Sequence, residues 1–252
     1  MKLRFSVMLK NLKELMDPRN LLCAPSEIAL YMKDKEQFRR EYRGNYPIRT
    51  LPVLFERKKK SIFDPHYVYQ ACWATQKIVA SPTTAGQHVD IASHVQFAAQ
   101  LSAFCPVIQV EFRPPEIELT SYRRLSGDIH RLPFRDSSVS SLTCLHVIEH
   151  LGLGRYGDPL DPDGCWKGML ELQRIAAPKG NLLLSVPVGR KALYFNGGYV
   201  FDAHDIPDTL RNLDLLAFSY VNDDGRFVES GNLDETNDMV YALGLFHFRK
   251  PI

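Results

Sequence analysis

The sequence predicts an α/β fold with a mostly parallel sheet and an antiparallel last strand, preceded by a helical N-terminal extension. Three observations carry this expectation. From His88 onward, short apolar runs alternate with amphipathic stretches, the rhythm of buried parallel strands and the helices that cover them. Before that point the apolar residues recur at helical spacing, and the charge balance is different. Near the C-terminus, Leu213 to Val221 and Met239 to Phe248 read as strands with a polar, Gly- and Asp-rich stretch and no helix between them. Such a stretch suits a hairpin, which turns the last strand antiparallel.

Each element has its own signal. Residues 3–16 and 26–43 read as helices, the second opening at Ser26 as N-cap with Glu27 close behind. Gly44, Pro47, Pro52 and Pro65 make 44–65 an irregular connection. Tyr67 to Ala80 is a helix with Val68, Ala71, Cys72, Thr75, Ile78 and Val79 as its buried face, ended by Ser81 to Gly86. Strands follow at His88 to Ser93, Val107 to Phe112, residues 138–147 and Asn181 to Pro187. Helices fall at Val95 to Phe104 and at Gly164 to Ala176, the second stopped by Pro178-Lys-Gly180. The expected division is a basic, mainly helical extension or lid over 1–65 and an α/β domain over 66–252.

Bulk properties narrow the function classes. With 45% hydrophobic and 24% charged residues in a 252-residue chain, the composition is that of an ordinary globular protein. No stretch approaches the ~18 uncharged apolar residues of a membrane span, and charges interrupt Met1 to Leu22, so no secretory signal is expected. Five scattered cysteines without a Cys-x-x-Cys pair fit reduced thiols in the cytoplasm rather than disulfides or a cysteine-built zinc site. Residues 1–60 hold 15 Lys and Arg against 7 Asp and Glu, whereas the remainder is acidic. A solvated helical face explains that division; contact of the basic N-terminus with an anionic membrane surface stays open.

The chemistry concentrates in three acids at the ends of successive strands: Asp90, Glu111 and Asp128. Open α/β sheets bind ligands outside the carboxyl ends of their strands. A carboxylate one strand beyond the first turn suits a ribose diol, because it accepts from two hydroxyls, and Glu111 has that spacing from Asp90. Asp128 is placed to accept from an adenine amino group.

These acids stand inside a longer resemblance. Gly127-Asp-Ile-His-Arg-Leu-Pro-Phe134, Asp136-Ser-Ser-Val139 and His146-Val-Ile-Glu-His150 resemble the central signature of class I S-adenosylmethionine (SAM) methyltransferases, closest to the ubiquinone and menaquinone branch. Leu170-Glu-Leu-Gln-Arg174, Pro178-Lys-Gly180 and Leu182 to Pro187 resemble the helix, turn and fifth strand that follow there. Asp64-Pro-His-Tyr67, Gln70, Trp73 and Gly152-Leu-Gly-Arg-Tyr-Gly157 resemble an uncharacterised family, a domain of unknown function. The resemblance spans roughly 86–200 and implies a Rossmann-like fold with a seven-stranded sheet. It implies SAM as cofactor, held by Asp90, Ala92, Ser93, His94, Glu111, Asp128, Ile129, Cys144 and His146. The first motif departs from the pattern. Asp90-Ile-Ala-Ser-His-Val-Gln96 carries no glycine where that family has a glycine-rich turn for close approach of backbone to cofactor.

Methyl transfer from a sulfonium needs an acceptor held in line and, for a hydroxyl, a base. His150, after the fourth strand, is the first candidate for that base and His204 the second. Phe195, Tyr199 and Phe201 are candidate acceptor walls. Asp158, Asp161 and Asp163 read as turn-forming residues beside Pro and Gly, so no metal is expected. The function expected is methylation of a small-molecule or glycan-like acceptor; the alternative is a catalytically silent binding or assembly module. A nucleic-acid methyltransferase using Lys58-Lys-Lys60 and Arg39-Arg40 is disfavoured by the near-neutral charge and the missing Asn/Asp-Pro-Pro-Tyr/Phe motif.

Overall fold

The computed structural model describes residues 2–57, 63–81 and 86–252, with the side chains of 2–6 outside the description. Lys58 to Lys60, named above as a basic run, lie outside the described residues. The chain divides into two compact units, Met1–Phe63 and Asp64–Ile252.

The first unit contains α1 (Lys2–Leu15) and α2 (Pro18–Glu41), followed by extended chain. The second helix does not begin at Ser26. Asp17 caps it, with its carboxylate accepting from Arg19 N and Pro18 at the first helical position, where a missing N–H costs nothing. Pro25 therefore sits inside the helix, and the Ser26 hydroxyl donates back to the Cys23 carbonyl at 2.7 Å. The stronger start signal, Asp17-Pro18, wins over the weaker one at Pro25-Ser26.

The second unit opens with α3 (Pro65–Ala80), capped by Asp64, whose carboxylate accepts from His66 N and Tyr67 N. Its buried face is Gln70, Trp73, Ala74 and Ile78; Val68, Cys72 and Val79 are exposed, contrary to the expected stripe. The α/β alternation then runs β1 (His88–Ile91), α4 (Val95–Leu101), β2 (Val107–Glu111), β3 (Tyr122–Ser126), β4 (Val139–Leu145), α5 (Gly164–Ile175) and β5 (Ala176–Val188). A small hairpin of β6 (Ala192–Tyr194) and β7 (Gly198–Val200), then α6 (Asp205–Thr209), lead to β8 (Asp214–Val221), β9 (Phe227–Val228) and β10 (Ala242–Arg249).

The main sheet has the order β3-β2-β1-β4-β5-β10-β8-β9. Strands β1 to β5 are parallel, and β10 runs antiparallel between β5 and β8. The seven expected strands are present, and the two-residue β9 extends the edge as a hairpin with β8. Pro178-Lys-Gly180 does not separate α5 from the fifth strand. The strand starts at Ala176 and absorbs the extra residues as a register shift opposite Val139 and Ser141. One face of the sheet packs on α5 through Cys165, Met169, Leu172 and Ile175. The other packs on α3 and α4 through Trp73, Ile78, Phe97 and Leu101. The reversal of strand order at β1 and β4 leaves a crevice at their carboxyl ends.

A buried histidine ties β1 to β4. His88 is fully buried, with Nδ1 2.8 Å from Ser141 Oγ and Nε2 2.9 Å from Thr143 Oγ1. Because the Thr143 hydroxyl donates to Asp90, it accepts from His88 Nε2–H. Burial pushes this imidazole down from 6.5 to about 3. The folded form therefore binds its proton later than the unfolded chain, so the contribution of neutral His88 is complete above pH ~6.5 and drains as pH falls toward ~3. Comparing His88→Gln with the parent by denaturant titration at pH 7 and 5 should show the parent losing up to ~1.4 kcal/mol more per pH unit. Parallel pH profiles would remove His88 from the acid sensitivity of the fold.

Candidate active site

The turn after β1 is built around Asp90. Its fully buried carboxylate accepts from Thr143 Oγ1 at 2.6 Å, Gln109 Nε2 at 2.9 Å and Ser93 N at 3.2 Å. Burial raises this carboxyl above its ordinary value, and the hydrogen bonds partly oppose that shift. Ser93 adds a fourth tie, its hydroxyl accepting from Leu145 N. Ala92 adopts the left-handed conformation at φ +53°, so the turn keeps a glycine-like path without a glycine. His94 then caps α4, its Nδ1 accepting from Gln96 N, and meets the Tyr67 ring edge-on.

A cavity of about 430 Å³ opens above this turn, within the size range of small-molecule sites. Ala92, Ser93, His94, Glu111, Asp128, Ile129, His146 and His150 all line it. Two expected residues do not. Asp90 lies beneath the turn with its carboxylate saturated, and Cys144 is buried in the core with its thiol held protonated by burial. Glu111 stands at the end of β2, where burial raises its carboxyl and Phe112 N donates to it at 3.0 Å. Asp128 accepts from His130 N, stays half exposed and lines the same slot. Ile91, Val110, Phe112, Ile129 and Leu132 supply apolar walls. Gly127 lines the slot where a Cβ would strike the Val110 side chain. An acidic group for a diol, an apolar slot for a flat base and a close-approach glycine are the donor set a nucleoside needs.

At the other end of the cavity, β4 runs into a 3-10 turn, Ile148–His150. His146 takes φ +61° there, and its Nδ1 pairs with the fully buried carboxylate of Glu149. Burial alone would lower the His146 imidazole, but the charge and hydrogen bond of Glu149 raise it above its usual value. His150 Nε2 lies 3.7 Å from the same carboxylate oxygen, and burial lowers this second imidazole. Tyr67 stacks parallel on His146 at 5.3 Å, and His66 and Tyr241 extend the aromatic layer.

His204 is not brought to this place. It precedes α6 with Nε2 on Asp234 and lies outside the cavity lining. Phe201 is core, packed on Trp166 and Tyr199, and Phe195 is exposed at the hairpin tip. The acidic loop does not gather its carboxylates: Asp158 caps Gly152 N, Gly154 N and Tyr156 N, while Asp161 pairs with Lys167. Sequence reading missed Arg113, which donates to the Tyr156 carbonyl across the cavity rim, and Glu149, which is buried beside His146 and His150. Only burial distinguishes Glu149 from an ordinary cap.

Residues 135–245 match the family model described as Caenorhabditis protein of unknown function, DUF268. No curated protein matches the sequence significantly. Solved structures do match in shape. N-methyltransferase NodS from Bradyrhizobium japonicum WM9, in complex with S-adenosyl-L-homocysteine (SAH), superposes with a TM-score of 0.53 at 15% identity, covering 75% of this chain and 89% of that one. The cyclase SpnF gives 0.56 at 12% identity, with 78% and 86% covered. The YcgJ protein from Bacillus subtilis gives 0.51 at 12%, with 73% and 99% covered. The fold is that of the class I methyltransferases. The methyltransferase fold accounts for the strand order, the antiparallel β10 and the crevice above β1.

Ala92 offers a direct test of the turn. Replacing it with glycine removes the left-handed strain, worth about 1 kcal/mol, against a smaller gain of unfolded-chain entropy. Ala92→Gly should raise or hold the melting temperature, whereas Ala92→Val should lower it by several degrees. A glycine variant clearly less stable than the parent would show that Ala92 is not in the strained conformation.

Proposed function

We propose that the chain transfers a methyl group from SAM to a hydroxyl of a small-molecule or glycan-like acceptor. The observation that carries this reading is Glu111, a carboxylate at the end of β2 inside an apolar-walled cavity. A carboxylate there accepts from both hydroxyls of a ribose. Asp128 and Ile129 would meet the adenine, and Ala92, Ser93, His94 and His146 the remainder of the cofactor. When bound, SAM supplies an electrophilic methyl group. The side chains do the rest: the turn after β1 orients the cofactor, Tyr156 at the cavity wall excludes water, and neutral His150 takes the acceptor's proton. The solved neighbour that holds SAH supports the cofactor. The glycine-free turn supports the second reading, a catalytically silent methyltransferase fold that serves as a binding or assembly module.

Calorimetry with SAH separates the two. We expect micromolar affinity, about −8 kcal/mol, and no heat at millimolar SAH would overturn the first reading. Glu111→Ala should weaken binding by about 1.5–3 kcal/mol with the fold intact; unchanged affinity would release Glu111 from the ribose. His150→Ala should leave SAH affinity nearly unchanged while turnover of a hydroxyl acceptor falls about 10²–10⁴-fold. A stable variant with parental turnover would exclude His150 as the base.

A further inference from the structure

We propose that His146, Glu149 and His150 hold one divalent transition-metal ion whose open coordination position faces the cavity. The three side chains each offer a ligand atom, and these atoms lie within 4.8 Å of one another. A four-coordinate zinc ion at ~2.0–2.2 Å from nitrogen and oxygen ligands sets those ligands roughly 3.4 Å apart. His150 Nε2 and Glu149 Oε1 are already 3.7 Å apart, so small side-chain rotations close the site.

The second observation is electrostatic. Glu149 is 1% exposed, and its other carboxylate oxygen has no hydrogen-bond partner. A buried charge is stable only when its oxygens are compensated. An ion pair with His146 satisfies one nitrogen and one oxygen and leaves the rest. The Arg155 guanidinium lies 3.4 Å from His150 Nδ1, and because an arginine only donates, Nδ1 is the acceptor of that contact. In this arrangement Nε2 carries the proton of the neutral ring and faces the Glu149 carboxylate oxygen, and an ion bound there takes the other tautomer. A divalent cation beside Glu149 gives the unpartnered carboxylate oxygen its compensating charge and takes the place of the proton between Glu149 and His146.

The donor set selects the ion. Two imidazoles and one carboxylate suit zinc, cobalt, iron or manganese rather than calcium or magnesium, which prefer oxygen alone. His146 and His150 both line the cavity, so the position left open by three protein ligands points at whatever occupies it. Chain geometry makes this possible. His146 leaves β4 in a left-handed turn and the 3-10 turn follows at once, drawing residues 146, 149 and 150 to one side.

Ion binding stands independently of methyl transfer. The role of the ion rests on that reading: a hydroxyl bound to it loses its proton more readily, and His150 then serves as a ligand instead of a free base.

The test uses the full chain, stripped with a chelator and titrated with zinc chloride by calorimetry and with cobalt(II) by visible absorption. We expect one ion per chain at micromolar affinity or tighter. Cobalt should give d–d bands without the thiolate charge-transfer band that the exposed Cys23 or Cys72 would produce. Glu149→Gln and His150→Ala should each weaken zinc at least ~100-fold, while Asp163→Asn on the exposed loop should leave it unchanged. If Glu149→Gln fails to fold by circular dichroism, His150→Ala carries the reading alone. No stoichiometric binding, a thiolate band, or zinc affinity that survives in the folded variants would overturn the proposal. SAH binding measured in chelator on the same preparations keeps the two readings apart. Zinc without SAH removes the methyl-transfer reading alone, and SAH without zinc removes the metal site alone.

Discussion

The structure depends on one buried carboxylate. Asp90 sits at the centre of the sheet with no exposure, where an unpaired charge would cost several kcal/mol. It is retained because donors from three directions meet it: Thr143 from β4, Gln109 from β2 and the backbone of Ser93 from the turn it precedes. Gln109 is itself fixed by the Tyr122 hydroxyl of β3, and Thr143 by His88 of β1. Four adjacent strands are thereby locked in register at the edge where the cavity opens.

A second buried carboxylate, Glu149, is handled differently. Asp90 has its donors from the scaffold and does no more than hold the turn. Glu149 is equally hidden but only half satisfied, between two imidazoles at the wall of the cavity. Full satisfaction marks a structural group, whereas an incomplete buried one at a crevice marks a place where something else binds. The same contrast explains Ala92. A strained left-handed residue persists because Asp90 and Ser93 hold the turn from both sides, so the loss of glycine costs stability without changing the path of the chain.

The mostly parallel sheet and its antiparallel last strand were legible because short apolar runs such as Leu182 to Val186 alternate with helical stretches until the final hairpin. Glu111 was legible for the same reason, since it closes the apolar run from Val107, whereas Asp128 follows the polar strand Tyr122–Ser126 and was legible through the resemblance of Gly127 to Phe134. Boundaries were less so. The start of α2 was misplaced because Pro25-Ser26 mimics a cap, and the buried face of α3 was misread because Gln70 is polar and Val68 apolar, while packing on the sheet buries the former.

The sequence by itself determined the α/β rhythm, the acids at the crevice and the glycine-free turn, because these follow from local polarity and spacing. Tertiary structure alone decided which acids reach the cavity. Asp90 and Glu111 end neighbouring strands and look alike in the sequence, yet the sheet places one under the turn and the other beside the cavity. His150 and His204 were the first and second candidates for the base; folding paired His204 with Asp234 on the surface and set His150 against a buried carboxylate. Local pattern fixes which face a residue takes; desolvation and available partners, which come from distant segments, fix what its charge is worth.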